Sequence, residues 1–297
     1  MSDLAAVAAD DSLETELPKD GWVIEPRRPG FFARARDLWH YRRLMRYFAA
    51  RAIDKMTKRT ILGRGWLFIR PLFPLLVMTI VFGGALGLPS DGLPYFVFLV
   101  VGTAVWDLFA QALMWATRSL DLNRGLLTKI YIPRTLLPIA CIAPALVTFA
   151  IYLALALCTG IYYWIVDGRS YFVLGPGMLW SLLAAVLTLS LAIGIGFWTA
   201  FPALVARDVR FSLGYVLGFW VFLTPVLYPL SEFPEKWRWL VMLNPMAAYV
   251  EMFKWGLLGR GGIHPREIVI AVAITVVVGG TGLWFFDRSE AEAADKV

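Results

Sequence analysis

Two runs of the chain carry no charged residue at all: Thr135–Val166, 32 residues, and Val173–Ala206, 34 residues. A soluble core buries one face of a helix and leaves the other to water, so it has no use for so long an uncharged stretch. About 20 apolar residues carry a helix across the roughly 30 Å hydrocarbon core of a bilayer. Both runs exceed that length, which predicts tilt, a kink or extension beyond the bilayer. Four further apolar stretches accompany them. Trp66–Leu88 is broken only by Arg70, Leu93–Thr117 holds the single charge Asp107, and Phe211–Ser231 and Ile268–Phe286 complete the set. The composition agrees: 59% hydrophobic and 17% charged, against about 45–50% and about 25% in soluble domains. A disordered chain and a nucleic-acid binder are excluded, and an ordinary cytosolic enzyme does not fit. The expectation is an all-α polytopic membrane protein with six transmembrane helices, at about 66–88, 93–117, 135–166, 173–206, 211–231 and 268–286.

Trp237–Gly259 is apolar but carries Arg238, Asn244, Pro245, Glu251 and Lys254. Asn244-Pro245 breaks a helix, because proline lacks a donor and clashes with the preceding turn. Two short re-entrant helices within 232–262, between spans five and six, fit better than a crossing, provided protein or water shields the irregular backbone. Orientation follows from lysine and arginine. Thirteen precede Trp66, and Arg118, Arg124, Lys129 and Arg134 lie between spans two and three. Pro89–Gly92 has none and Asp167–Phe172 only Arg169. The positive-inside rule then puts both termini in the cytoplasm, including a polar tail at 1–30 and a short one at 289–297.

Within 31–58, Leu38, Tyr41, Leu44, Met45, Phe48 and Ala52 share one helical face, while Arg36, Arg42, Arg43 and Arg46 lie opposite. This spacing predicts an amphipathic interface helix with a basic face. Arg42, Arg43 and Arg46 are candidate contacts for the phosphates of anionic lipid.

Missing motifs also bound the function. No G-x-x-x-x-G-K-[ST] occurs, so this chain does not hydrolyse ATP through a P-loop. Cys141 and Cys158 lie in one apolar run and build neither a disulfide framework nor a zinc site. His40 and His264 stand alone, and no metal site is predicted. Asp107 reads either as a pathway group or as a polar contact between helices.

Four ordered matches carry a family resemblance. The first is Thr60-Ile-Leu-Gly-Arg-Gly-Trp66, then Pro71, then Phe82-Gly83. The second runs from Asn123 through Leu126, Lys129, Tyr131 and Pro133-Arg134 to Leu137-Pro138. Arg207-Asp208-Val209-Arg210 followed by Leu223-Thr224-Pro225-Val226-Leu227-Tyr228-Pro229 is the third, and Leu243-Asn244-Pro245-Met246 the fourth. Together they resemble ABC-2 type permeases of the polysaccharide-export group, which move O-antigen, capsule or teichoic acid. The resemblance implies a type V exporter-like ABC-2 fold over 60–288. It implies a homodimer in the bacterial inner membrane, paired with two copies of a separate ATPase that binds the ATP and Mg; no cofactor is expected in this chain. It also implies that the loop 118–134 is the coupling helix, with Asn123, Arg124, Leu126, Leu127, Lys129, Ile130 and Tyr131 seated on that ATPase.

A hydroxylated glycan cannot cross hydrocarbon without losing hydrogen bonds. Aromatic faces offer sugar rings weak, sliding contact. Candidates for such a pathway are Trp66, Phe68, Phe73, Tyr95, Phe98, Trp106 and Phe109, with Asp107 beside them and Trp198, Trp220 and Tyr228 as weaker ones. Gly83, Gly84, Gly102, Gly194 and Gly196 read as close-packing or hinge positions. Two alternatives remain open: an ABC-2 exporter of a drug or lipid, and a membrane-embedded transferase acting on lipid-linked sugars, for which Glu232, Glu235 and Glu251 are the available acids. The charge pattern gives a first prediction. A green fluorescent protein fused after Val297 should fluoresce and an alkaline phosphatase there should be inactive; the reverse pair of readings would overturn the orientation.

Overall fold

The computed structural model describes residues 36–294, except 37, 38, 58–62, 128–132, 174, 235, 237, 238, 240, 242 and 263. The expected tail at 1–30, Leu38, and the coupling candidates Lys129, Ile130 and Tyr131 lie outside the described residues. Among the described residues every regular element is a helix. In chain order the helices are α1 (Arg42–Thr57), α2 (Trp66–Met78), α3 (Tyr95–Leu122), α4 (Arg124–Leu127), α5 (Leu136–Ala140), α6 (Ala143–Asp167), α7 (Met178–Val205), α8 (Asp208–Trp220), α9 (Pro245–Leu258) and α10 (Pro265–Ala294).

Five helical segments are long and apolar enough to cross a bilayer: Trp66–Ala85, Tyr95–Leu122, Leu136–Asp167, Met178–Val205 and Pro265–Glu290. The fifth expected span, at 211–231, is not one helix. α8 ends at Trp220, a 3-10 turn covers Val221–Leu223, and Thr224 is extended. The 13 residues of α8 rise about 20 Å, short of the roughly 30 Å needed. Periodicity could not reveal the break, since Val221–Leu230 is as apolar as the helix before it; Pro225 and Pro229 were the available signal. Other boundaries also shift. The third stretch is split by a turn at Cys141–Ile142, and the last helix runs past Phe286 to Ala294.

α3 is the axis of the bundle. It packs on α7, α6, α9, α5 and α8, and 17 of its 28 residues are buried, so protein rather than lipid surrounds it. α2 is the opposite case: only Pro71 and Leu75 are buried. It continues as a π-helix over Thr79–Ala85. Its Pro71 and Pro74 each remove a backbone donor from the ladder.

Small residues set how closely the other helices approach. A Cβ on Gly196 of α7 would lie 2.5 Å from the Cβ of Ala116 on α3. One on Gly194 would lie 2.9 Å from the Cα of Gly279 on α10. One on Gly256 of α9 would meet the Ser181 hydroxyl of α7. Gly83 and Gly102 are likewise tight, whereas Gly84 has open space around it. Without a hydrophobic drive between helices, such contacts supply much of the association energy in a membrane.

Helix α1 follows its pattern. Phe48 and Ala52 are buried, Tyr41, Leu44 and Met45 are partly so, and Arg42, Arg43 and Arg46 are exposed. Its apolar face rests on the chain's own α5 and α6, together with Leu120, Leu136, Leu137 and Phe286. Gly196→Leu should therefore lower stability by about 3 kcal/mol, while Gly84→Ala should stay within about 0.5 kcal/mol, as read from denaturant titration of the detergent-purified protein.

Candidate functional site

The coupling candidates among the described residues lie at the C-terminal end of α3. At its C-terminal end the helix stops at Asn123, whose buried side-chain amide donates to the Ser119 carbonyl at 2.8 Å and to the Cys141 sulfur at 3.6 Å. Two separate elements grip this end. Arg210, at the start of α8, pairs with Asp121 at 2.5 Å. The Lys55 ammonium of α1 donates to the Leu122 carbonyl; burial, with Arg51 nearby, pushes it below the usual lysine range. Apart from α3, Arg134 just before α5 reaches Glu290 of α10 at 3.8 Å. A helix C-terminus leaves carbonyls unpaired and carries partial negative charge, so a cation such as Lys55 stabilises it.

The short helix α4 projects from this joint. Arg124 and Gly125 are exposed. Leu126 and Leu127 are half-buried against the cluster of Phe48, Leu120 and Leu136, so part of the apolar surface expected to fill a partner's cleft is already used within the chain. Asp121, Arg210 and Lys55 were not among the sequence candidates. Arg210 stood in the quoted Arg207–Arg210 motif, but nothing along the chain pairs positions 89 residues apart.

The aromatic candidates divide into two groups that the fold keeps apart. Trp66, Phe68 and Phe73 lie on the outer surface of α2, with Phe73 66% exposed. Phe98, Trp106 and Phe109 are buried within α3. Trp106 and Phe109 pack edge-on to Trp220 of α8, with centroids 6.3 and 5.3 Å away. Tyr95 donates its hydroxyl to the Leu227 carbonyl at 2.8 Å. Asp107 is half-buried and accepts from Gln111 one turn on, at 2.8 Å. Trp198 stacks on Phe285, and Tyr228 on Phe233.

The break after α8 is held by side chains. Asn244 caps α9, its Oδ1 accepting from the Met246 amide at 3.1 Å and from the Trp220 indole at 3.0 Å. Its Nδ2 donates to the Leu223 carbonyl and the Thr224 hydroxyl. Pro245 stands at the first helical position, where its missing donor costs nothing. Lys254, on the same helix, is 3% exposed and its partner Glu251 4%, with Nζ 3.4 Å from Oε1. The ammonium donates to the Pro225 carbonyl at 2.5 Å and sits 3.8 Å above the Phe98 ring. Gly102 admits it, since a Cβ there would lie 3.1 Å from the lysine Cε. Among the described residues no group of three metal-ligating side chains occurs.

Five apolar membrane-length helices around a buried axis, with a broken helix pair held by Asn244 and Lys254, define a multi-pass helical membrane protein. Residues 43–258 match the family model of the ABC-2 type transporter, and the chain belongs to that family, as a transmembrane transport subunit. It is similar to the O-antigen export system permease protein RfbA of Myxococcus xanthus, 24% identical over 268 residues that cover 88% of this chain and 98% of the relative. Two Klebsiella pneumoniae proteins of the same name are each 24% identical, over 78% of this chain and 86% of their own length.

Asn244→Leu removes four hydrogen bonds from one buried position. It should cost about 2–4 kcal/mol of stability and quench the native Trp220 environment in fluorescence, while Asn244→Asp, which keeps the acceptor, should cost less.

Proposed function

We propose that this chain is the permease subunit of an ATP-driven exporter that moves a lipid-linked polysaccharide, of O-antigen or capsule type, out across the bacterial inner membrane. The observation that carries the reading is the joint at the C-terminal end of α3. There a short helix with an exposed Arg124 follows directly on an α3 terminus that is tied to the interface helix and to α8, in a chain homologous to O-antigen export permeases. A push delivered at α4 reaches the end of α3, and from there α1 and α8 through short, directional bonds.

The motor is a separate ATPase subunit, two copies of it, which binds the ATP and Mg. The permease acts as a homodimer with both termini in the cytoplasm, and no cofactor belongs to this chain. ATP closure shifts the coupling segment, and the two protomers part to open a hydrated path. Arg42, Arg43 and Arg46, exposed on α1, attract the diphosphate of the lipid-linked glycan or anionic headgroups. The segments around α9 form a re-entrant pair near the outer end of that path. Trp66, Phe68 and Phe73, which a single protomer leaves exposed, line it only if a second copy faces them; the buried α3 aromatics then back the wall.

Arg124→Glu is the informative change, because Arg124 is exposed and its loss leaves the packing of Leu126 and Leu127 intact. Co-purification of the tagged variant with its ATPase should fall about tenfold, with normal membrane insertion. Unchanged recovery of the complex and unchanged glycan export would overturn the coupling assignment.

A further inference from the structure

At the opposite end of the bundle a cavity of about 450 Å³ is lined by Asp91, Leu230, Ser231, Glu251, Arg260, Gly261 and Gly262. Four separate stretches of chain build it: the turn between α2 and α3, the 3-10 turn at Leu230–Glu232, α9, and the loop from α9 to α10. Its volume falls in the range of about 300–1,000 Å³ usual for small-molecule sites.

The polar groups in it are positioned rather than loose. Glu251 is held from behind, Oε1 on Lys254, which Phe98 and the Pro225 carbonyl fix in turn. Its other oxygen, Oε2, points at the cavity wall: a Cβ on Gly261 would lie 2.8 Å from it, and Gly261 has φ +96°, so both space and backbone require glycine. Asp91 accepts the Ser231 hydroxyl through Oδ1 at 3.1 Å. Among the described residues, Glu251 Oε2, Asp91 Oδ2 and the Arg260 guanidinium have no hydrogen-bond partner, although all three residues border one cavity. Side chains that neutralise one another ordinarily pair directly. Here they stand around a space instead, which is the arrangement that a polar guest completes.

The balance of charge selects the guest. Asp91 and Glu251 share the lining with Arg260, with Lys254 behind the floor, so both signs of charge border the space. An anion meets two carboxylates and a cation meets the guanidinium. A neutral molecule with several hydroxyls satisfies both, since each O–H donates to a carboxylate and accepts from the guanidinium. We propose that the cavity between Asp91, Ser231, Glu251 and Arg260 is a seat for one neutral sugar ring of the exported glycan, held by hydroxyl bonds at the end of the protomer away from α4. The identity of the guest as glycan rests on the function proposed above; the polyol chemistry of the seat stands on the lining alone.

The test uses the full chain in lipid nanodiscs with a panel of methyl hexopyranosides as probes, read by saturation-transfer NMR. Asp91→Asn suits the test, because asparagine tolerates the left-handed backbone that Asp91 adopts at φ 53°. Arg260→Gln alters an exposed side chain. At least one glycoside should give a signal with the native chain, and the Asp91→Asn/Arg260→Gln pair should weaken it about tenfold. No signal from any glycoside, or one that the double variant leaves unchanged, overturns the seat. In cells, the double variant should export glycan several-fold more slowly with the ATPase still bound; lost sugar binding with unaltered export overturns the link to the glycan. A native complex that exports no glycan at all would instead refute the proposed function, and the NMR signal is independent of that outcome.

Discussion

A helix that breaks inside a bundle must find new partners for the carbonyls it strands. Water is scarce there, and each unpaired backbone group costs several kcal/mol in an apolar setting. The break after α8 meets this demand one carbonyl at a time. Asn244 donates to Leu223, Lys254 to Pro225, Tyr95 to Leu227, Tyr228 to Phe222 and the Thr224 hydroxyl to Trp220. No two of these bonds share a donor, and Tyr95 comes from a different helix altogether. That is why α9, a helix of 14 residues, can be almost wholly buried without crossing the bundle.

Lys254 shows how strongly this demand acts. A buried ammonium carries a large desolvation cost, repaid only by several good partners. It has a carbonyl, a carboxylate and an aromatic face, and Gly102 gives it room. The same lysine fixes Glu251 in place. A single buried charge therefore closes the broken segment on one side and presents an open carboxylate oxygen on the other.

The two ends of α3 differ in their physics. Near Asn123 Asp121 pairs directly with Arg210 and Lys55 caps the Leu122 carbonyl, which ties α3 to α8 and α1. Near Asp91 comparable charges stand apart around a cavity. Direct pairs transmit displacement, while separated groups leave valence for a guest. Between the ends, glycine and alanine contacts let α7 lie close to both α3 and α10, so the region connecting the two ends is closely packed.

Much of this architecture could be read along the chain. Two charge-free runs over thirty residues long required a membrane protein, because only hydrocarbon tolerates them. The alternation of Phe48 and Ala52 with Arg42, Arg43 and Arg46 located α1 and its faces, and Asn244-Pro245 marked a helix start. These signals are local: they depend on spacing within a few turns. The break at Thr224 was marked only by Pro225 and Pro229, since the apolar sequence around them reads alike in a helix and in a turn shielded by protein. Hidden were the pairing of Asp121 with Arg210, the seating of Lys254 under Phe98, and the separation of the α2 aromatics from those of α3. Each depends on residues far apart in the chain, and only the packing of helices decides which of them meet. Composition and periodicity thus determined the solvent this chain lives in and where its helices form, and tertiary structure decided which of its charges are paired, because pairing is set by distance in space and not by order along the backbone.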